Sequence, residues 1–338
     1  MTATTSKPLP QSEATPLGQQ LRGLLAFLGS QEFILALGIV LLSLAVYADN
    51  PRFGAERNLL SILSNSAYIA VAALGMTVVI ITGNIDISVA ALLGVLGTIA
   101  GQLAVHDYPI WLAWLAPIVF GILIELFIGF LVAYLRIPAI VATLGMMSVL
   151  KGGLIFVTGG AWIYDLPKGF FLAQRQPLGI PMPIYFMFAL TLLMAIWMRY
   201  SATGRAIYAV GGNREAARLS GISEKRILMT VFGINGLMVG ISTILFATQF
   251  TTIQSTVPPG VELTIITAAV IGGVSILGGS GTVIGAMLGA ILIRTIQSGM
   301  IFVNVSAYWL QAVQGLLILL TVLVDIFRRR RQMSAIGK

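Results

Sequence analysis

Apolar stretches about twenty residues long recur ten times along this 338-residue chain, separated by short islands that hold most of its charge. A helix rising 1.5 Å per residue needs about 20 apolar residues to cross a hydrocarbon core about 30 Å thick. The stretches run over residues 30–48, 60–82, 88–105, 111–135, 139–158, 183–199, 228–249, 262–278, 283–301 and 306–327. With 57% hydrophobic and 9% charged residues, most of the chain calls for lipid as its solvent. Lipid leaves no free partner for a backbone amide, so each stretch is expected to be a helix. The expected fold is all-α and polytopic, with about ten transmembrane helices.

The net charge of +8 raises the question of nucleic acid, but the placement of the basic residues answers it differently. Ten crossings put both termini on one side. Fourteen Lys and Arg then share that side: Lys7, Arg22, Arg136, six within 199–226, Arg328–Arg331 and Lys338. The other side holds four: Arg52, Arg57, Lys168 and Arg175. This asymmetry is the positive-inside pattern, so both termini are expected in the cytoplasm and no nucleic-acid partner is needed. Trp111, Trp114, Trp162, Trp197 and Trp309 fall near expected span ends, where amphipathic rings prefer to sit. The run Ile34–Tyr47 followed by Ala48 also has the outline of a cleavable leader. Cleavage there would break the charge parity.

Several chemistries are excluded. There is no cysteine and only one histidine, His106, so thiolate catalysis and Cys- or multi-His metal sites are absent. Of the five lysines only Lys338 follows a glycine, and Gln332 stands where the first glycine of Gly-x-x-x-x-Gly-Lys would have to be, so the sequence holds no P-loop to cradle a nucleotide. No catalytic triad or zinc-protease spacing is present. Catalytic residues, cofactor and metal are therefore all expected to be none.

Within the spans, glycines recur at four-residue spacing: Gly97 and Gly101, Gly236 and Gly240, and Gly281, Gly285 and Gly289. Such spacing lets helix backbones approach closely. Residues 83–94 and 278–289 share Gly83/Gly278, Ala91/Ala286, Leu93/Leu288 and Gly94/Gly289 in register, a weak repeat. The segment Gly83–Val89 interrupts two apolar runs, and Asn84, Asp86 and Ser88 can satisfy backbone groups where a helix breaks. Asp86 or Ser88 reads as a cap of the third span, with a place in a translocation path as the competing reading. Lys151 lies inside the fifth span, where an amine needs a partner or water. Asp86, Glu125 and Glu262 are the candidate partners, in a structural ion pair or along a path. Arg294 poses the same question.

The most specific feature is Gly204–Ile222. Asn213 can cap a short helix through Leu219, with Glu215 in its first turn and Gly221 ending it. Ala216 and Ala217 give that helix a small-residue face suited to docking into a cleft on another protein. A basic loop resting on anionic lipid is the alternative.

Three blocks together resemble the permease subunits of bacterial ATP-binding-cassette importers for monosaccharides, of the ribose, xylose, rhamnose and autoinducer-2 type. They are Gly83–Ala90, Gly204–Ile222 and Gly272–Thr282, and Ile137–Gly145 matches as well. Ala90 stands where that family usually has glycine, and the proline that often closes the coupling motif is missing. Asn84, with Thr158-Gly159-Gly160 and Trp162-Ile163, looks closest to the autoinducer-2 and rhamnose branch.

The resemblance implies a non-catalytic subunit working by alternating access in the bacterial inner membrane. Polarity and the charge map give a cytoplasmic tail over 1–29, a membrane body over 30–327 and a basic cytoplasmic tail over 328–338, and the resemblance makes 200–227 its coupling loop. The implied coupling residues are Gly204, Arg205, Gly211, Asn213, Glu215, Ala216, Ala217 and Gly221. The implied partners are two cytoplasmic ATPase subunits, a second permease chain, identical or paralogous, and a periplasmic sugar-binding protein that docks near 159–182 and 250–260. Polarity alone nominates Gln249, Gln254, Gln297, Asn304, Gln311 and Gln314 for contact with a neutral sugar, beside Asn84, Asp86, Ser88 and Lys151. A branched-chain amino acid permease and a stand-alone secondary transporter or channel are the rival readings. An intramembrane enzyme lacks a catalytic constellation.

Overall fold

The computed structural model of the chain describes residues 29–306 and 308–336, with side chains described through Leu323. Residues 1–28 of the expected N-terminal tail and the side chains of the basic C-terminal run lie outside that description. Twelve helices are present among the described residues. They are α1 (Gln31–Asp49), α2 (Glu56–Ile81), α3 (Val89–Val105), α4 (Ile110–Ala133), α5 (Ala139–Thr158) and α6 (Met182–Tyr200). Two short helices follow, α7 (Ala202–Gly212) and α8 (Arg214–Leu219). The bundle closes with α9 (Glu224–Ala247), α10 (Val261–Ile271), α11 (Val283–Phe302) and α12 (Trp309–Ile336). The chain is thus an all-α polytopic membrane protein.

Each expected apolar stretch is a helix. Seven of them (α1, α2, α4, α5, α6, α9 and α11) are long and apolar enough to cross a membrane. Three apolar helices are shorter: α3, α10 and the Trp309–Leu323 part of α12. The expected span 262–278 stops at Ile271. Gly272 leads into Gly273 at φ 95°, a left-handed conformation that ends the helix, and 272–282 then runs as turns. At 1.5 Å per residue, α10 rises only about 16 Å, about half the hydrocarbon thickness.

Helix α2 is the axis of the bundle. Every residue from Ser66 to Ile81 is buried, so α2 has no lipid-facing side over that length. A helix that is apolar all round belongs in a core. Its wall consists of α9, α11, α6 and α10. Helices α4 and α9 pack backbone to backbone: a methyl group on Gly121 would lie 2.7 Å from the Gly236 carbonyl oxygen, and one on Gly236 would lie 2.4 Å from that of Gly121. The glycine spacing noted in the sequence is therefore spent on packing within the chain. Outward, α1, α4 and α5 expose Leu, Val, Ile and Phe side chains, as lipid-facing helices must.

Helix α9 separates two ends of the bundle. Its N-terminus lies beside α7 and α8. Its C-terminus leads to β2 (Ile253–Gln254), which pairs antiparallel with β1 (Trp162–Ile163), placing Trp162 opposite Gln254. The long connections 159–181 and 248–260 meet at this hairpin end.

Candidate coupling site and transmembrane core

At the other end, α7 and α8 form a platform built by caps. Ser201 Oγ accepts from the Gly204 N–H at 2.8 Å and starts α7. Asn213 Oδ1 accepts from the Ala216 N–H at 3.0 Å and starts α8. The Ile222 N–H returns to the Ala217 carbonyl at 3.0 Å around Gly221, which sits at φ 83°. This is the closing turn expected of glycine after a helix. Arg205 donates to the Tyr200 carbonyl at 3.0 Å and steadies the α6–α7 corner.

Glu215, Ala216 and Leu219 are exposed on α8, Leu219 at 80%. Ala217 is buried and joins the main apolar core. The docking face expected from the Ala216-Ala217 pair is therefore corrected: in this chain Ala217 anchors α8, and the free face carries Glu215, Ala216 and Leu219. The sequence could not tell which alanine pointed inward, because a six-residue helix holds less than two turns of pattern.

Three sequence blocks far apart in the chain converge beneath this platform. The last carbonyls of α2 have no partner within their own helix and form the negative end of its dipole. The Gly279 N–H donates to the Ile81 carbonyl at 2.8 Å. Arg214, the first residue of α8, donates to the Thr82 carbonyl at 3.2 Å, and its other nitrogen lies 3.3 Å from Glu224. Tyr208 Oη donates to the Gly281 carbonyl at 2.8 Å. Burial pushes the Tyr208 phenol up, which keeps it a neutral donor. A methyl group on Gly211 would lie 1.7 Å from the Ile81 carbonyl oxygen, so only glycine lets α7 lie against the end of α2. Gly83 and Gly278, the first pair of the weak repeat, abut: a methyl group on Gly278 would lie 2.9 Å from the Gly83 nitrogen. The candidate coupling segment is thus fastened to the C-terminus of the most buried helix.

The break between α2 and α3 carries the buried polar core. Asp86 is fully buried. Its Oδ1 accepts from the Ser88 N–H at 2.8 Å and from Ser88 Oγ at 2.6 Å. Its Oδ2 accepts from Asn235 Nδ2 of α9 at 2.8 Å. Asp86 therefore holds Ser88, the residue just before α3, while Ser88 occupies the cap position without capping through its own side chain. Asn84 folds back onto Thr82 Oγ1 at 2.9 Å. Glu125 of α4 packs against Asp86 and Asn235, fully buried. By helix rise, Asn235 lies about 16 Å from the start of α9 and Glu125 about 12 Å from the end of α4, so the break sits well inside the bundle.

The remaining candidates are scattered. Lys151 is exposed on α5, and no acidic group among the described residues pairs with it. The expected pairing with Asp86, Glu125 or Glu262 is not formed. Gln297 Oε1 accepts from Arg294, which also donates to Tyr68 Oη and lies 5.4 Å over the Tyr68 ring. Arg294 is thereby held inside the bundle by α2 and its own helix. Asn304 is an exposed turn residue at φ 58° after α11. Gln314 is buried and donates to Thr264 Oγ1 at 3.1 Å, while Gln254 sits in the hairpin. Gln249 lies at the hairpin end, donating to the Ser64 carbonyl at 3.4 Å. Asn235, Tyr208 and Arg214 carry roles that the sequence did not reveal. Each is one polar residue in an ordinary helical context, and only the fold supplies its partner.

The family model for the permease component of branched-chain amino acid transport systems matches residues 58–322. The chain is 36% identical over 297 residues to the autoinducer 2 import system permease protein LsrC of Salmonella typhi, covering 88% of this chain and 86% of that protein. It is 34% identical over 302 residues to the LsrC protein of Escherichia coli K12, covering 88% and 87% respectively. No solved structure matches the chain.

Proposed function

This chain belongs to the permease-component family of the branched-chain amino acid transport systems, and from that premise we propose that it forms half of an importer's pathway for a monosaccharide or related small polyol. It is a multi-pass permease of the inner membrane and has no catalytic role of its own. The observation that carries the reading is the clamp of Arg214 and Gly279 on the last carbonyls of α2. A force applied to α8 from outside the bundle reaches the central helix through charge-assisted and backbone hydrogen bonds, with no flexible linker between.

In this reading α7 and α8 face the cytoplasm, and the β1–β2 hairpin faces the periplasm. Two ATPase subunits dock on Glu215, Ala216 and Leu219, one on each of two permease chains. A periplasmic binding protein meets the hairpin end. Closing of the ATPases on ATP displaces α8, the displacement tilts α2 with α9 and α11, and access switches from one face to the other. Both named relatives are autoinducer-2 import permeases, which supports a small polyhydroxylated cargo. An amino acid cargo is the second reading, favoured by the family description.

The experiment is reconstitution. The chain alone in liposomes should take up neither autoinducer-2, D-ribose nor leucine. Adding the ATPase and binding protein encoded with it should give ATP-dependent uptake of a sugar-like probe. Uptake by the chain alone would contradict the proposal, and leucine uptake by the full complex would select the second reading.

A further inference from the structure

At the hairpin end, α2 carries polar side chains where a membrane helix should be apolar. Arg57, Ser61, Ser64 and Asn65 recur at spacings of three and four and share one face. Ser61 and Asn65 are exposed, and Asn65 lies about 14 Å along the helix from Glu56. Polar groups on a membrane helix avoid lipid and face protein or water. Here they line a cavity of about 660 Å³, closed on its other sides by Gln174 and by Gln249 and Phe250 after α9.

The hydrogen bonds define what the cavity lacks. Asn65 donates to Ser61 Oγ at 3.1 Å, Gln174 donates to the Gln249 carbonyl at 3.1 Å, and Gln249 donates to the Ser64 carbonyl at 3.4 Å. Each amide uses one of its two N–H donors on protein. Among the described residues, no protein donor meets the amide oxygens of Asn65, Gln174 and Gln249. The site therefore offers several acceptors and calls for a ligand rich in hydroxyl donors. Glu56 and Arg57 stand together at the mouth, and their charges offset. Phe250, half exposed, supplies an apolar surface for the C–H face of a ring.

We propose that this cavity is an outer subsite that holds a neutral polyol through the amide oxygens of Asn65, Gln174 and Gln249 as it enters the pathway. The proposal rests on the importer reading above and adds to it a location and a chemistry. It also separates Gln249, which takes part, from Gln297 and Asn304, which serve Arg294 and a turn.

The chain has no cysteine, so Asn65→Cys introduces its one thiol, and labelling in the native complex can be read on this chain after it is isolated. In intact cells it should react with a membrane-impermeant methanethiosulfonate, and autoinducer-2 or D-ribose should slow that reaction. In a parallel uptake assay with autoinducer-2, Asn65→Leu should raise KM about fivefold to tenfold, the loss expected for one hydrogen bond. Asn65→Gln, which keeps the amide, should recover most of the loss. An unreactive cysteine, labelling indifferent to both sugars, or an unchanged KM would each overturn the proposal. Uptake that needs no ATPase would instead remove the importer reading, and sugar protection of Asn65→Cys would survive it.

Discussion

The side-chain amide of Asn235 donates to Asp86 Oδ2 at 2.8 Å, joining residues 149 positions apart across the broken helix. The same Asp86 holds Ser88 at the entry to α3. One carboxylate therefore fixes both where α3 begins and where α9 packs. Asn235→Leu removes the donor and leaves a buried oxygen unpaired, at a cost of about 1–3 kcal/mol. Thermal unfolding in detergent should show a lowered Tm. Asp86→Asn keeps the oxygen that Ser88 needs, and transport per folded molecule should stay near wild type. A stable Asp86→Asn protein that no longer transports would move Asp86 from the scaffold into the path.

Gly211 and Gly212 are neighbours with opposite expectations. A methyl group on Gly211 collides with the Ile81 carbonyl, whereas nothing lies within 4 Å of one on Gly212. Gly211→Ala should separate α7 from α2, costing about 1–3 kcal/mol and weakening coupling of ATP hydrolysis to uptake. Gly212→Ala should be neutral or stabilise by about 0.4–1 kcal/mol. Melting temperature and the ratio of sugar moved to ATP hydrolysed would report both.

The two alanines of α8 make a similar contrast. Ala216→Arg adds a bulky charge to the exposed face, so uptake should vanish while the protein stays abundant and folded. Ala217→Arg places the same charge in the core, so yield itself should fall. Equal yields for the two variants, measured by quantitative blotting of membranes, would show that the platform is not anchored as described.

Among the described residues Lys151 has no acidic partner, and it is exposed on α5. Lys151→Met should therefore leave folding yield unchanged. A loss of uptake at normal abundance would place the ammonium group at a surface used in the assembled transporter.

The sequence carried the helices well and their meetings poorly. Apolar length located all ten stretches to within a few residues for most boundaries, because the bilayer thickness imposes it. It overran at 262–278, where Gly272 and Gly273 end α10 although Val274, Ile276 and Leu277 keep the hydropathy high. The caps at Asn213 and Gly221 were legible because they act on neighbours in the chain. The clamp of Arg214 on Thr82, 132 residues away, was not, and neither was the pairing of Asp86 with Asn235. Each depends on which helix faces which, and apolar spans of similar composition do not record that choice.

The central claim is that α8 is a cytoplasmic docking surface mechanically joined to α2. Its most direct test is the sidedness of two single cysteines in the otherwise cysteine-free chain, Leu219→Cys on α8 and Trp162→Cys on the hairpin. With a membrane-impermeant maleimide, Leu219→Cys should label only in inside-out vesicles and Trp162→Cys only in spheroplasts. Labelling of Leu219→Cys from the outside of intact spheroplasts would contradict the topology and the docking role together.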